Sequence, residues 1–267
     1  MTTETVTPVE SPVTGVPSRG EALAESLRER IDLIVTPIFF VFLAATVAAV
    51  WIYTDLDSTS ERILAWSALQ DNIVRHINLT FWSTVLVVAI AVPLGIFITR
   101  PAFKKFAGPI LGFANSGQAM PAFGLLVLFA AWLGSNEVTT AIAAFTVFAL
   151  LPVLRNTMVG LQQVDQSVIE AGRGMGLSKM QALTRIELPL AVPVILAGVR
   201  TALVINVGMA TLAFLIGAGG LGVPIYASLQ LNRTTAVFIA GGLVAALALL
   251  VDFLAALAER YLRPKGI

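Results

Sequence analysis

Apolar positions in this chain come in long uncharged blocks rather than in the periodic stripes of an amphipathic helix. Leu33 to Tyr53 is the first block and Ile77 to Thr99 the second. Phe106 to Asn136 runs for 31 residues without a charge, longer than one straight crossing requires. It holds Gly108, Pro109, Gly112, Gly117 and Pro121, so the pattern predicts a broken or kinked helix there. Val138 to Leu154 is the fourth block. Leu190 to about Phe214 is the fifth, interrupted by Arg200, and Thr235 to Leu257 is the sixth, carrying Asp252 near its end. A bilayer core of about 30 Å takes about 20 helical residues, so the pattern predicts an all-α polytopic membrane protein with six spans.

Composition narrows the class further. Of 267 residues, 57% are hydrophobic and 12% charged, with a mean hydropathy of +0.86. That charged share is about half the usual value for a soluble domain. A net charge of +1 gives no reason to expect a nucleic-acid partner, and the absence of cysteine excludes disulfides, thiolate metal sites and cysteine nucleophiles. Residues 1 to 32 are polar and lack the short apolar core of a secretion signal. They read as a disordered cytoplasmic tail, helical in part from Arg19 to Arg30.

Charge distribution sets the expected orientation. With the N-terminus inside, the inner segments carry Arg19, Arg28, Arg30, Arg100, Lys104, Lys105, Arg155, Arg173, Lys179, Arg185, Arg260, Arg263 and Lys265. The outer segments carry only Arg62, Arg75 and Arg233. Both termini are therefore expected in the cytoplasm, with the longest inner loop at residues 159 to 189 and a short tail at 260 to 267. Between the first two spans, 55 to 75 is expected outside. Leu56, Ile63, Leu64, Trp66, Leu69 and Ile73 suggest a short interfacial helix with Trp66 at headgroup depth; contact with an external partner is the alternative.

The inner loop has two helix starts. Asp165 or Ser167 can cap a first short helix, Ser167 and Glu170 having capping-box spacing. Gly172, Gly174 and Gly176 weaken and end it, with Gly176 expected in the left-handed C-terminal position. Ser178 and Gln181 restart a second helix that Pro189 is expected to end or bend. The result is an elbow of helix, glycine turn and helix, with small residues a partner could approach closely.

The elbow carries a pattern with fixed offsets: Glu170, Ala171 and Gly172, then Gly176, then Ile186, Leu188 and Pro189. It resembles the E-A-A-x3-G-x9-I-x-L-P loop of importer permeases of the ATP-binding-cassette superfamily, with glycine replacing the second alanine at 172. Leu151-Pro152-Val153-Leu154-Arg155-Asn156-Thr157, Gly198-Val199-Arg200-Thr201-Ala202, Gly217-Ala218-Gly219-Gly220-Leu221-Gly222 and the ending Arg263-Pro264-Lys265-Gly266 extend the likeness. Together they resemble permeases of glycine betaine, choline, carnitine and related osmoprotectant importers over about residues 75 to 266. The resemblance implies a five-helix type I permease core, residues 76 to 259, to which the span at 33 to 54 is an N-terminal addition. It also implies a cytoplasmic ATPase dimer gripped by the elbow, a second permease copy or related permease, and an extracytoplasmic solute-binding protein. Permeases for methionine, phosphonate or other small polar solutes, and an ATP-independent secondary transporter, are the rival readings.

Other signals count for less. Gly217, Gly219 and Gly222 match a dinucleotide fingerprint as a string, but no strand precedes them, and a glycine-rich re-entrant turn is the better expectation. No Walker motif is present, so no cofactor and no ATPase site of its own are expected. Arg200 lies about 16 Å along its span from Pro189; it is expected either to serve the pathway or to bond carbonyls of the broken third span. Asp252 is expected to pair with a basic residue. Asn115, Gln118, Asn206 and Thr211 are candidates to line a polar pathway or to pair between helices. His76, the single histidine, borders the second span, which makes a metal site implausible. The aromatics Trp51, Trp66, Trp82, Trp132, Tyr53, Tyr226 and Tyr261 fit interfacial belts better than a cage for a quaternary ammonium.

Overall fold

The computed structural model describes residues 19–134 and 136–262, with the backbone alone for 19–33. Among the described residues every regular element is helical. The long helices are α1 (Arg19–Tyr53), α3 (Trp66–Thr99), α6 (Glu137–Gln162), α9 (Leu188–Ala210) and α11 (Thr234–Leu262). Shorter ones are α2 (Ser58–Ile63), α4 (Ala107–Ala119), α5 (Ala122–Leu133), α7 (Gln166–Gly174), α8 (Lys179–Ala182) and α10 (Gly222–Gln230). The stretches expected to lie beyond these, residues 1 to 18 and the ending Arg263 to Gly266, fall outside the described residues.

Five helices are each long and apolar enough to cross a membrane, and α4 with α5 makes a sixth passage bent by 104° at Met120–Pro121. The bend falls where Pro121 forces its predecessor out of the helical region, Met120 lying at ψ 144°. Neither half, at about 20 Å, is long enough alone. Their joint passage follows from the neighbours. Gly95 of α3 lies against Thr157 of α6, and Ser83 lies beside Thr146, so α3 and α6 run in the same direction. The chain between them must return from one end of the bundle to the other. Asn206 of α9 bonds Thr84 of α3, and Gly198 abuts Asn156 of α6, which sets α9 antiparallel to both. Arg233, just ahead of α11, pairs with Asp57, just after α1, so these two are antiparallel as well. Six passages result, with the described ends of the chain and the α7–α8 elbow all at one end of the bundle.

Small residues set the spacing between helices. A Cβ on Gly95 would stand 2.7 Å from Thr157, one on Gly117 2.8 Å from Val147, and one on Gly198 2.7 Å from Asn156. Lipid tails are as apolar as leucine, so close backbone approach and van der Waals packing, rather than exclusion of water, hold such helices together. α6 is the hub: Phe145, Ala149, Val153 and Leu154 are fully buried between α3, α4, α5 and α9. α1 is peripheral. It packs on α11 through Val47, whose Cγ2 nearly touches the Gly242 Cα–H face, and leaves Ile38, Phe42 and Ile52 exposed.

Two boundaries differ from the sequence expectation. α3 begins at Trp66 rather than near Ile77, because Leu69 and His76 are buried and hold the polar first turns against the bundle. The segment at 55 to 75 is thus the capped turn α2 plus the head of α3, with Leu64 and Leu69 packed beside Ile239 and Ala240 of α11. His76 is therefore inside the helix rather than at its border. Its Nε2–H donates to the Val207 carbonyl at 3.0 Å and its Nδ1 accepts from the Leu221 N–H at 3.3 Å, which fixes the neutral tautomer. The glycine turn at 217 to 220, with φ of 85° at Gly217, 82° at Gly219 and 92° at Gly220, is clasped there.

Candidate functional site

The elbow is built by caps. Asp165 accepts from the Ser167 N–H at 2.8 Å and starts α7; of the two expected caps this is the one that forms. Those contacts, the Ser167 N–H first, hold the Asp165 carboxyl below the ordinary value of 3.8. Glu170, expected to reach back to Ser167, instead accepts from the Gln166 amide at 3.1 Å and stays exposed beside Ala171. At the other end of α7 the Leu177 N–H bonds the Gly172 carbonyl at 3.2 Å and the Gly176 N–H bonds Arg173 at 3.0 Å. This 6→1 and 5→2 pair closes a left-handed cap whose αL residue is Gly176, at φ 97°. Ser178 and Gln181 then form the expected capping box at the head of α8.

Gly172, the departure from the double alanine, is buried. A Cβ there would collide with Ile186 Cδ1 and stand 3.3 Å from Leu177 Cδ1. Two residues of the motif, 172 and 186, are thus in mutual contact and lock α7 onto the far arm of the elbow.

That far arm corrects one expectation. Pro189 neither ends nor bends a helix: the chain is helical from Lys179 to Ala210. Leu183–Glu187 is a π-turn, in which the Leu188 N–H bonds the Leu183 carbonyl five residues back. Widening the helix ahead of Pro189 relieves the clash an α-helix would impose on the carbonyl four residues earlier. Pro189 then occupies the first turn of α9, where its missing N–H costs nothing. The extra residue also rotates Glu187 inwards. Its side chain is 8% exposed and accepts from Arg100 Nη2 at 2.7 Å. Neither partner was visible as a pair in the sequence, standing 87 positions apart.

The elbow offers a mixed exposed surface. Glu170, Ala171, Arg173, Gly174 and Gly176 are exposed, together with Met175 at 81% and Met180 at 67%. Exposed methionines are adaptable apolar contacts for a partner; the sequence reading passed over both.

The polar candidates do not converge. Asn115 is exposed on α4 and Gln118 half-buried. Asn206 is fully buried and donates to Thr84 Oγ1 at 2.9 Å. Thr211 is the half-buried C-cap of α9. Arg200 reaches Asp252 of α11. Its Nε and Nη2 donate to the two carboxylate oxygens of Asp252 at 2.6 and 2.7 Å, a bidentate pair between α9 and α11. This supplies the basic partner expected for Asp252. The pair lines a cavity of about 450 Å³ with Ala197, Thr201, Val204, Ile205 and Glu259.

Residues 91–264 match the family described as binding-protein-dependent transport system inner membrane component. Over 195 residues the chain is 39% identical to the glycine betaine/carnitine/choline transport system permease protein OpuCB of Bacillus subtilis, covering 72% of this chain and 88% of that protein. It is 41% identical over the same length and shares to the choline transport system permease protein OpuBB of that organism. The osmoprotectant import permease protein OsmY of Salmonella typhimurium is 40% identical over 193 residues, covering 72% of this chain and 81% of that protein. Among solved structures, an inward-facing MetNI methionine ABC transporter matches with a TM-score of 0.64 and 25% identity over 74% of this chain and 97% of that one. An amino acid ABC transporter with histidines shares the fold at a TM-score of 0.63 and 18% identity, over 78% of this chain and 100% of that one.

Proposed function

This chain belongs to the binding-protein-dependent transport system inner membrane components, and from that premise we propose that it is the permease of an importer for a compatible solute: glycine betaine, choline, carnitine or proline betaine. The observation that carries the substrate class is the 39 to 41% identity to permeases named for glycine betaine, carnitine and choline. Behind the methionine reading stand structural neighbours at 25% identity.

The mechanism follows from the two-ended construction. The elbow at one end of the bundle takes hold of an ATPase dimer in the cytoplasm, through Glu170, Ala171, Gly172 and Gly176 on α7 and with Ile186, Leu188 and Pro189 fixing the far arm. ATP-driven closure of the dimer moves the elbows of two permease copies, or of this permease and a related one, and reorients the helices between inward-open and outward-open. The solute arrives at the opposite end from a solute-binding protein. Thirteen Lys and Arg expected on the elbow's side, against three at the other end, support a cytoplasmic elbow and cytoplasmic termini. Solute choice belongs mainly to the binding protein, because the polar candidates Asn115, Gln118, Asn206 and Thr211 form no common pocket and Arg200 is tied to Asp252. Asn115 and Gln118, on the less buried helix, are the better candidates to meet the passing solute.

The test is calorimetric titration of the cognate solute-binding protein with glycine betaine, choline, carnitine and proline betaine. Micromolar binding of at least one is the expected result. Binding of methionine with no affinity for any of the four removes the substrate assignment.

A further inference from the structure

The π-turn sends two adjacent residues to two different neighbours. Ile186 lies on Gly172 of α7. Glu187 turns into the bundle and meets Arg100, at the C-terminal end of α3. Arg100 is itself held in place. Its N–H bonds the Phe97 carbonyl at 3.2 Å, its carbonyl accepts from the Phe103 N–H at 3.0 Å, and the rings of Phe97 and Phe103 stack at 3.8 Å. Its guanidinium also donates to Thr99 Oγ1 through Nε at 3.3 Å and Nη2 at 3.2 Å.

α7 packs against α8 and the π-turn, so its displacement reaches the bundle through few routes. Two are covalent, through α6 and α9. A further one is the Glu187–Arg100 contact with α3, the polar link beside an apolar cluster that holds Leu183 and Leu188 together with Val92 and Ile96 of that helix. α3 is about 51 Å long and carries His76 at its other end, bonded to Val207 and Leu221 beside the glycine turn. The pair is half-buried, and parting it leaves the buried Glu187 carboxylate without this partner, which resists separation.

We propose that Arg100 and Glu187 are positioning residues that transmit movement of the elbow to α3, and through α3 to the far end of the bundle. Neither touches solute or nucleotide. The proposal rests on the elbow being the ATPase dock, and the experiment separates the two.

The assay is the complete transporter, permease with its ATPase and binding protein, reconstituted in proteoliposomes. Three quantities are read: ATPase retained on purification, ATP hydrolysed, and solute taken up per ATP. Glu187→Gln and Arg100→Gln are expected to keep the ATPase at the wild-type ratio while uptake per ATP falls at least about fivefold, the lower range of ordinary coupling between sites. Arg100→Lys, which keeps the charge but loses the planar fork, should fall between, and the exchanged pair Arg100→Glu with Glu187→Arg should recover part of the loss. Unchanged uptake per ATP in both neutral variants overturns the proposal. Loss of ATPase from the neutral variants while the wild type retains it also overturns it, because the pair would then serve docking. A wild-type chain that retains no ATPase strikes at the docking reading instead, and this proposal falls with it. Should a neutral variant fail to reach the membrane, Arg100→Lys carries the same readout, and wild-type coupling in it overturns the proposal.

Discussion

Gly176 sits at φ 97°, where a β-branched side chain is strained against its own backbone. The surrounding space is open, so the strain is conformational and not a collision with a neighbour. Placing an L side chain in the left-handed region costs roughly 1–2 kcal/mol, enough to shift the end of a nine-residue helix held by two cap bonds. Gly176→Val is therefore expected to insert into the membrane normally but to lose its ATPase on co-purification. Normal retention together with normal solute-stimulated hydrolysis would show that the elbow is not the dock. At this scale the sequence was informative about caps and uninformative about pairs. Ser178, Gln181 and Gly176 announce themselves, because capping is a matter of residues three or four apart. Whether Asp165 or Ser167 caps α7 was open until the geometry chose Asp165, the residue immediately before the helix, and put Ser167 inside its first turn.

Among the elements, the apolar blocks marked every span, and the break at Pro121 was legible from the proline and the length of the uncharged run. The head of α3 was not legible, since Asp71, Arg75 and His76 lower its hydropathy while Leu69 and His76 are held by residues far away in sequence. The π-turn was equally hidden: hydrophobic period cannot distinguish four from five residues per hydrogen bond over one turn. Arg200 and Asp252 were each noticed but not joined, because 52 positions separate them. Their bidentate geometry makes a prediction about α9 and α11. Arg200→Ala or Asp252→Ala alone breaks the two-pronged contact and leaves its other half behind, whereas the double alanine variant removes both halves. Thermal unfolding in detergent should show the double variant more stable than either single one, with a coupling of about 0.5–3 kcal/mol. Additive losses would mean that each charge is satisfied independently.

At the scale of the whole molecule, the parallel run of α3 and α6 gives six passages among the described residues however sharply α4 and α5 bend. The elbow and both described chain ends then share one side of the membrane. The chain holds no cysteine, so single replacements report sidedness on a blank background. Ser58→Cys, exposed at the start of α2, and Met175→Cys, exposed on the elbow, are expected to react with an impermeant maleimide from opposite sides, Ser58→Cys from outside intact cells. Labelling of both from the same side would contradict the six-passage reading.

α1 lies on the rim of the bundle and touches it mainly through α11, yet it changes an odd number of crossings into an even one. Because α1 and α11 run antiparallel, the helix on the rim brings the start of the described residues to the same end of the bundle as the elbow. With the elbow in the cytoplasm, as proposed, α1 and α3 would enter the bilayer together as a helical hairpin, joined by the short capped turn α2.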